Sequence, residues 1–245
     1  MPFNIAEDKK TLSQMAAQYF IRAADQAIAI DGRFSVCMSG GSTPKAMFEL
    51  LAKSPYRDQV DWAKVYVFWG DERHVPLDHP DSNYLMTHEA LLKHVPIPAH
   101  QIFPIQGGLP AEEAAGQYEA KLAVFFGHQP WSFDLIWLGM GDDGHTASLF
   151  PNTSVLEDDT VGVRSVWVPQ HDTYRITFTA PLIMKARAIA FLISGADKAE
   201  ALKAVLEGSL QASQFPSQLI LRAGRNIDVF ADRAAIAHLE NQALD

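Results

Sequence analysis

The residues of this chain best suited to chemistry lie in Gly139-Met-Gly-Asp-Asp-Gly-His145, directly after the apolar run Asp134-Leu-Ile-Trp-Leu138. That run is short and rich in aliphatic and aromatic side chains, which predicts a buried strand. Glycines at 139, 141 and 144 let the following backbone bend sharply and approach a ligand closely. A histidine can take a proton near neutral pH, and a neighbouring carboxylate can orient it. Just past a strand end is also where open α/β sheets bind ligands. A catalytic loop containing Asp143 and His145 is therefore the leading reading. Gly139 to Gly144 also satisfies the G-x-G-x-x-G dinucleotide fingerprint. That fingerprint needs a long helix next, yet Pro151 comes seven residues after Gly144 and leaves about two helical turns. Asp142 and Asp143 would moreover face a pyrophosphate, so a dinucleotide site is disfavoured.

Two further polar segments follow apolar runs. In Ser39-Gly-Gly-Ser-Thr-Pro44, small residues expose successive N–H groups and hydroxyls where a helix begins, an arrangement that can bind an anion. It lacks the spacing of a nucleotide P-loop, and its plainer reading is a capped strand-to-helix turn. In Trp69-Gly-Asp-Glu-Arg-His-Val-Pro76, Arg73 can fork onto a carboxylate, a phosphate or a developing oxyanion. The plainer reading is a solvated loop with Arg73 paired to Asp71 or Glu72. Arg175 and Lys198 are additional cations near strand ends. Several other chemistries fail on spacing. His88 and His94 lie six apart rather than the four of a zinc-binding helix, and no G-x-S-x-G elbow exists. Asp71, His74, Asp78, His79 and Asp81 read better as a solvated acidic loop than as a metal site.

The elements that must position these residues follow from periodicity. Leu12, Met15, Ala16, Tyr19, Phe20, Ala23, Ala27 and Ile28 recur at helical spacing, and Asp31-Gly32 ends that helix. Strands are predicted over 34–38, 65–69, 134–138, 161–168, 175–179, 188–193 and 226–230. Helices are predicted over 45–52, with Pro44 at the first position, and over 111–126, 196–206 and 232–239. Residues 70–83 read as a long polar loop. Alternating strands and helices imply an α/β, Rossmann-like fold: a mostly parallel sheet with helices on both faces. Parallel strands would bring the three polar loops to one sheet edge. With no repeat or flexible linker, residues 1–245 read as a single domain.

Composition sets limits. Hydrophobic residues at 48% supply a substantial core, and a formal charge of −9 without a Lys/Arg cluster argues against a nucleic-acid partner. A small anionic substrate is still compatible, because local cations and helix N-termini act at short range. Cys37 is the only cysteine, so no intramolecular disulfide or cysteine-based metal cluster can form, and its apolar setting predicts an inert core thiol. No secretion signal and no apolar run of bilayer length is present, which fits a cytoplasmic protein with no membrane partner. The oligomeric state is not legible.

Taken together, Ser39–Pro44, Trp69-Gly-Asp-Glu-Arg73 with Val75-Pro76 and Ser82-Asn83, and Leu138-Gly-Met-Gly-Asp-Asp-Gly-His-Thr-Ala-Ser-Leu-Phe-Pro151 resemble the 6-phosphogluconolactonase family. Arg175-Ile-Thr and Lys198-Ala fit weaker downstream signatures. The resemblance implies hydrolysis of 6-phospho-D-glucono-1,5-lactone, the second step of the oxidative pentose phosphate pathway, with no metal or organic cofactor. It implies His145 as general base oriented by Asp143, and Arg73 at the oxyanion or the phosphate. Gly40, Gly41, Ser42, Thr43, Arg175 and Lys198 would hold the phosphate, and Asp71 would play a supporting polar role. Glucosamine-6-phosphate deaminases resemble the chain too, but carry an acid where Phe150 stands and Asp-Glu-Tyr in place of Asp71-Glu-Arg73. His171-Asp-Thr-Tyr174 departs from the prolines that the family often has there. A non-catalytic sugar-phosphate sensor is the alternative from another class, and the intact His145 and Asp143 speak against it.

Overall fold

Strands β2 (Phe34–Met38) and β5 (Leu135–Leu138) are buried at every position, the pattern of central strands in a parallel sheet covered on both faces. The computed structural model describes residues 1–223 and 225–240. In chain order its elements are β1 (Phe3–Ala6), α1 (Lys9–Asp31), β2, α2 (Ser42–Leu51), β3 (Val65–Trp69), β4 (Asp71–Arg73), α3 (Asn83–Ala90), α4 (Ala111–Phe126) and β5. There follow β6 (Val163–Val168), β7 (Thr173–Phe178), α5 (Ala180–Met184), β8 (Ile189–Ile193), α6 (Ala199–Leu206), α7 (Gln218–Leu221) and β9 (Ile227–Asp232).

The main sheet is six-stranded, ordered β1-β9-β8-β5-β2-β3, and every pairing in it is parallel. From β2 the chain moves outward to β3, whereas β5, β8 and β9 build in the opposite direction. The crevice beyond the carboxyl ends of β2 and β5 is therefore the topological switch point, where such sheets bind ligands. A second sheet, β4-β7-β6, is antiparallel. Gly70 links the two: its N–H reaches Met38 O at 3.4 Å and its carbonyl accepts from Phe178 N at 2.8 Å.

Helix α1 starts where the Asp8 carboxylate accepts from Thr11 N at 2.7 Å, and stops at Gly32, whose φ of +71° suits glycine. It buries Leu12, Ala16, Phe20, Ala24 and Ala27, and Phe20 meets Phe34 edge-on at 5.3 Å. Phe20→Ala is expected to cost about 3–5 kcal/mol through lost burial and a residual cavity. Helix α4 covers the other face and packs against β6 and β7. Its Tyr118 hydroxyl accepts from Trp69 N (2.9 Å) and donates to Trp69 O (3.2 Å). One continuous apolar core joins both sheets. Cys37 is fully buried in it, and burial pushes its thiol well above the usual value, as expected of an inert core cysteine.

The α/β class and the mostly parallel sheet are borne out; several elements differ. Residues 70–83 are not one loop: they contain β4 and the start of α3. Helix α2 begins at Ser42 rather than at Lys45, so Ser42 and Thr43 lie in its first turn and Pro44 is its third residue. No helix spans 232–239: β9 runs to Asp232, whose carboxylate accepts from Gly195 N (3.1 Å) and Ala235 N (2.9 Å) and holds a turn instead. β1, α3, α5 and α7 have no counterpart among the predicted elements. Among the described residues, no helix is long and apolar enough to cross a membrane.

Candidate active site

Where β5 ends, the chain forms a tight loop. Gly141 N donates to His145 O (2.9 Å) and Gly144 N to Gly141 O (3.1 Å), with Gly144 at φ +77°. The side chain of Phe215 packs behind Gly144: a Cβ there would lie 3.0 Å from Phe215 Cδ1. This folding turns Asp143 toward His145. Asp143 Oδ1 lies 2.6 Å from His145 Nδ1 and accepts from His145 N at 3.0 Å. Burial acts to raise the Asp143 carboxyl, but the hydrogen bond from the His145 ring and its charge outweigh it and hold the carboxyl below the usual value. An ionised carboxylate only accepts, so the bond assigns the neutral ring's proton to Nδ1 and leaves the Nε2 lone pair able to accept a proton. The His145 ring also stacks on Phe150, with centroids 4.0 Å apart. Asp142 points to solvent instead.

β4 supplies the facing wall. Alternation along a strand sends Asp71 and Arg73 to one side and Glu72 to the other. Asp71 is 8% exposed, and its Oδ2 accepts from Ser148 Oγ at 2.8 Å. Arg73 donates through Nη1 to Asp81 O at 2.7 Å. Arg73 and Arg175 are register partners across β4 and β7, and burial and then the charge of Arg73 lower the Arg175 guanidinium. Lys198 is the last residue of a 3-10 turn that Asp232 anchors through Gly195; it pairs with Asp197 at 3.0 Å.

These groups converge. Gly40, Gly41, Asp71, Arg73, His145 and Lys198 line one cleft of about 220 Å³ together with Ser39, Asn83, Met140 and the backbone of Gly139. The loops after β2, β3 and β5 thus meet at the switch point, as their spacing predicted. Asp143 stands behind His145 and Arg175 beside Arg73, both outside the lining. Ser42 and Thr43 are also outside it, although their N–H groups sit in the first turn of α2, where no intrahelical carbonyl can accept them. Ser42 Oγ accepts from Lys9 Nζ at 3.1 Å. A cavity of about 280 Å³ beside Tyr19, Arg22 and Arg187 lies at the other end of the sheet and gathers no comparable base.

Asn83, Ser148 and Phe215 shape the site as well, through contacts that their sequence positions do not reveal. Asn83 belongs to a matched motif, but only the fold shows it against Gly40, where a Cβ would fall 1.9 Å from Asn83 Oδ1. Ser148 lies in the motif that ends at Pro151, but its contact to Asp71 spans 77 positions and is visible only in the fold. The departing segment 171–174 is also beside the site. The exposed His171 ring meets Phe150 edge-on at 5.3 Å, and partial burial followed by Arg175 lowers its pKa.

The family model of glucosamine-6-phosphate isomerases/6-phosphogluconolactonase matches residues 7–229. The chain belongs to this family. It is 43% identical to a 6-phosphogluconolactonase of Synechocystis sp. over 226 residues, covering 90% of this chain and 91% of that one. A 6-phosphogluconolactonase of Nostoc sp. is 41% identical over 241 residues, covering 96% of this chain and 97% of the relative. The solved 6-phosphogluconolactonase of Trypanosoma brucei superposes with a TM-score of 0.83 at 27% identity, covering 98% of this chain and 99% of that one.

Proposed function

We propose that this protein hydrolyses 6-phospho-D-glucono-1,5-lactone to 6-phospho-D-gluconate. The observation that carries the reading is the Asp143–His145 pair, 2.6 Å apart, at the edge of a cleft that also presents Arg73 and Lys198. His145 Nε2 takes a proton from water as the oxygen attacks C1 of the lactone. The carbonyl oxygen becomes anionic, and the Arg73 guanidinium stabilises it. Collapse of the tetrahedral intermediate breaks the bond between C1 and the ring oxygen. That oxygen leaves as an alkoxide and takes the proton from the His145 imidazolium. A positioned base of this kind contributes roughly 10²–10⁴-fold, and an oxyanion donor roughly 10²–10³-fold.

The phosphate end is held by Gly40, Gly41 and the first turn of α2 with Ser42 and Thr43, by Lys198, and by Arg175 at the side of Arg73. Asp71, fixed by Ser148, is a hydroxyl acceptor for the sugar. Phe150 stacks on His145 where the resembling deaminases carry an acid, and this supports lactone opening over deamination. The test supplies freshly generated lactone at slightly acidic pH, where spontaneous hydrolysis is slower, and follows 6-phosphogluconate through its NADP-linked dehydrogenase. Acceleration by the wild type and not by His145→Ala supports the reading. Ammonia release from glucosamine 6-phosphate, or tight binding without turnover, would replace it with a deaminase or a sensor.

A further inference from the structure

Glu72 stands between two residues of the cleft, yet it faces away from it and is only 1% exposed. A carboxylate so buried needs partners, and the ready one, the Arg73 guanidinium, is not among those it has. Oε1 accepts from Arg73 N (2.8 Å) and Asn83 N (2.7 Å); Oε2 accepts from Tyr84 N (2.9 Å) and Ser82 Oγ (3.1 Å). All four partners donate, so the ionised carboxylate is the form that fits, although burial raises its pKa against the pull of those N–H groups. Asn83 and Tyr84 open α3, so the charge also sits at that helix's positive end.

Three consequences meet at the cleft. The negative charge is saturated on the far side of β4 and is withheld from Arg73. The bond to Arg73 N fixes the strand residue that carries the guanidinium. The bond to Asn83 N fixes a side chain whose Nδ2 donates to Asp71 O at 3.0 Å and whose Oδ1 packs against Gly40. The loops after β2 and β3 are therefore locked to each other through one buried carboxylate.

We propose that Glu72 is a positioning residue of the active site, setting Arg73, Asp71 and the Gly40 turn in register without touching substrate. The inference rests on the lactonase reading above. Glu72→Gln puts an NH2 against backbone donors, and Glu72→Asp keeps the charge but shortens its reach by one methylene. Both are expected to lower kcat/KM about 10²-fold, the scale of a misplacement near 1 Å, with a raised KM and a pH profile unchanged in shape, since Glu72 makes no bond to Asp143 or His145. Kinetics per folded molecule, with the folded fraction measured by circular dichroism, separate this from simple destabilisation. A folded Glu72→Asp or Glu72→Gln enzyme with kcat and KM within twofold of wild type overturns the proposal. Should Glu72→Gln fail to fold, Glu72→Asp decides alone. A wild type without lactonase turnover would instead remove the functional reading.

Discussion

Asp143 grips His145 twice through one oxygen: Oδ1 is 2.6 Å from the ring Nδ1 and 3.0 Å from the backbone N of the same residue. The acid thus fixes the ring and the peptide that carries it, two residues downstream. His145→Ala is expected to lower kcat by roughly 10²–10⁴-fold with KM within a few-fold, the signature of a group used in the transition state. Asp143→Asn should act on the same parameter, because its amide can present an N–H to Nδ1 and favour the wrong tautomer. Steady-state kinetics on the lactone check both; an unchanged kcat in His145→Ala removes the base.

The same pair makes stability depend on pH. The Asp143 carboxyl is lowered from its ordinary 3.8, with hydrogen bonding and the charge of His145 overcoming burial. A depressed acid contributes stability that is complete above its unfolded value and is lost as pH falls through its folded value. The urea midpoint of the wild type should therefore fall more steeply below about pH 4 than that of Asp143→Asn. Parallel curves for the two proteins across that range would contradict the linkage.

Gly141 offers a sharper probe, since it is neither acid nor base. A Cβ at this position would lie 2.1 Å from His145 Nδ1 and 2.5 Å from Asp143 Oδ1, in space that the pair itself occupies. Gly141→Ala should cut kcat by about 10²-fold while the protein stays folded, because a displacement near 1 Å of a reacting group has that scale. Wild-type kcat in this variant would mean that the dyad geometry is not needed.

How much of this was legible depends on the range of the interactions involved. The loops after β2, β3 and β5 could be read because each follows an apolar run, and parallel pairing aligns such ends without further information. β4 could not, because Asp71-Glu-Arg73 is fully charged and resembles a solvated loop. Its strand character comes from pairing with β7 about a hundred positions later, and Glu72 is buried only because α3 donates to it. Asp232 misled for a related reason: the spacing of residues 232–239 is helical, but the Asp232 carboxylate is engaged by Gly195 from a distant turn. Lys198, launched by that turn, was found as a cation near a strand end without any view of what aims it.

Lys198 should separate binding from chemistry. It lines the cleft and pairs with the exposed Asp197 at 3.0 Å. Lys198→Ala is expected to raise KM about tenfold or more with kcat changed less, as for a contact made equally in the ground and transition states. Inorganic phosphate should also become a weaker competitive inhibitor. A loss confined to kcat would move Lys198 from the phosphate to the reacting carbonyl.

His171 should report on a bound anion from the rim. Its ring lies against Phe150, and partial burial first, then Arg175, His145 and Arg73, lower its pKa, with only Asp143 opposing. A lowered histidine is less charged in the free protein than an unperturbed one at the same pH. An anionic phosphate arriving beside Arg175 offsets the repulsion and favours the imidazolium, so binding should take up protons where this histidine titrates, below the ordinary histidine value. Titration calorimetry with 6-phosphogluconate, in two buffers of different ionisation enthalpy, measures that uptake. The wild type minus His171→Gln difference isolates it from protons released by the phosphate itself. A positive difference places His171 within the field of the bound anion; a difference of zero means that the phosphate sits elsewhere, and Arg175 would then lose its role as a ligand.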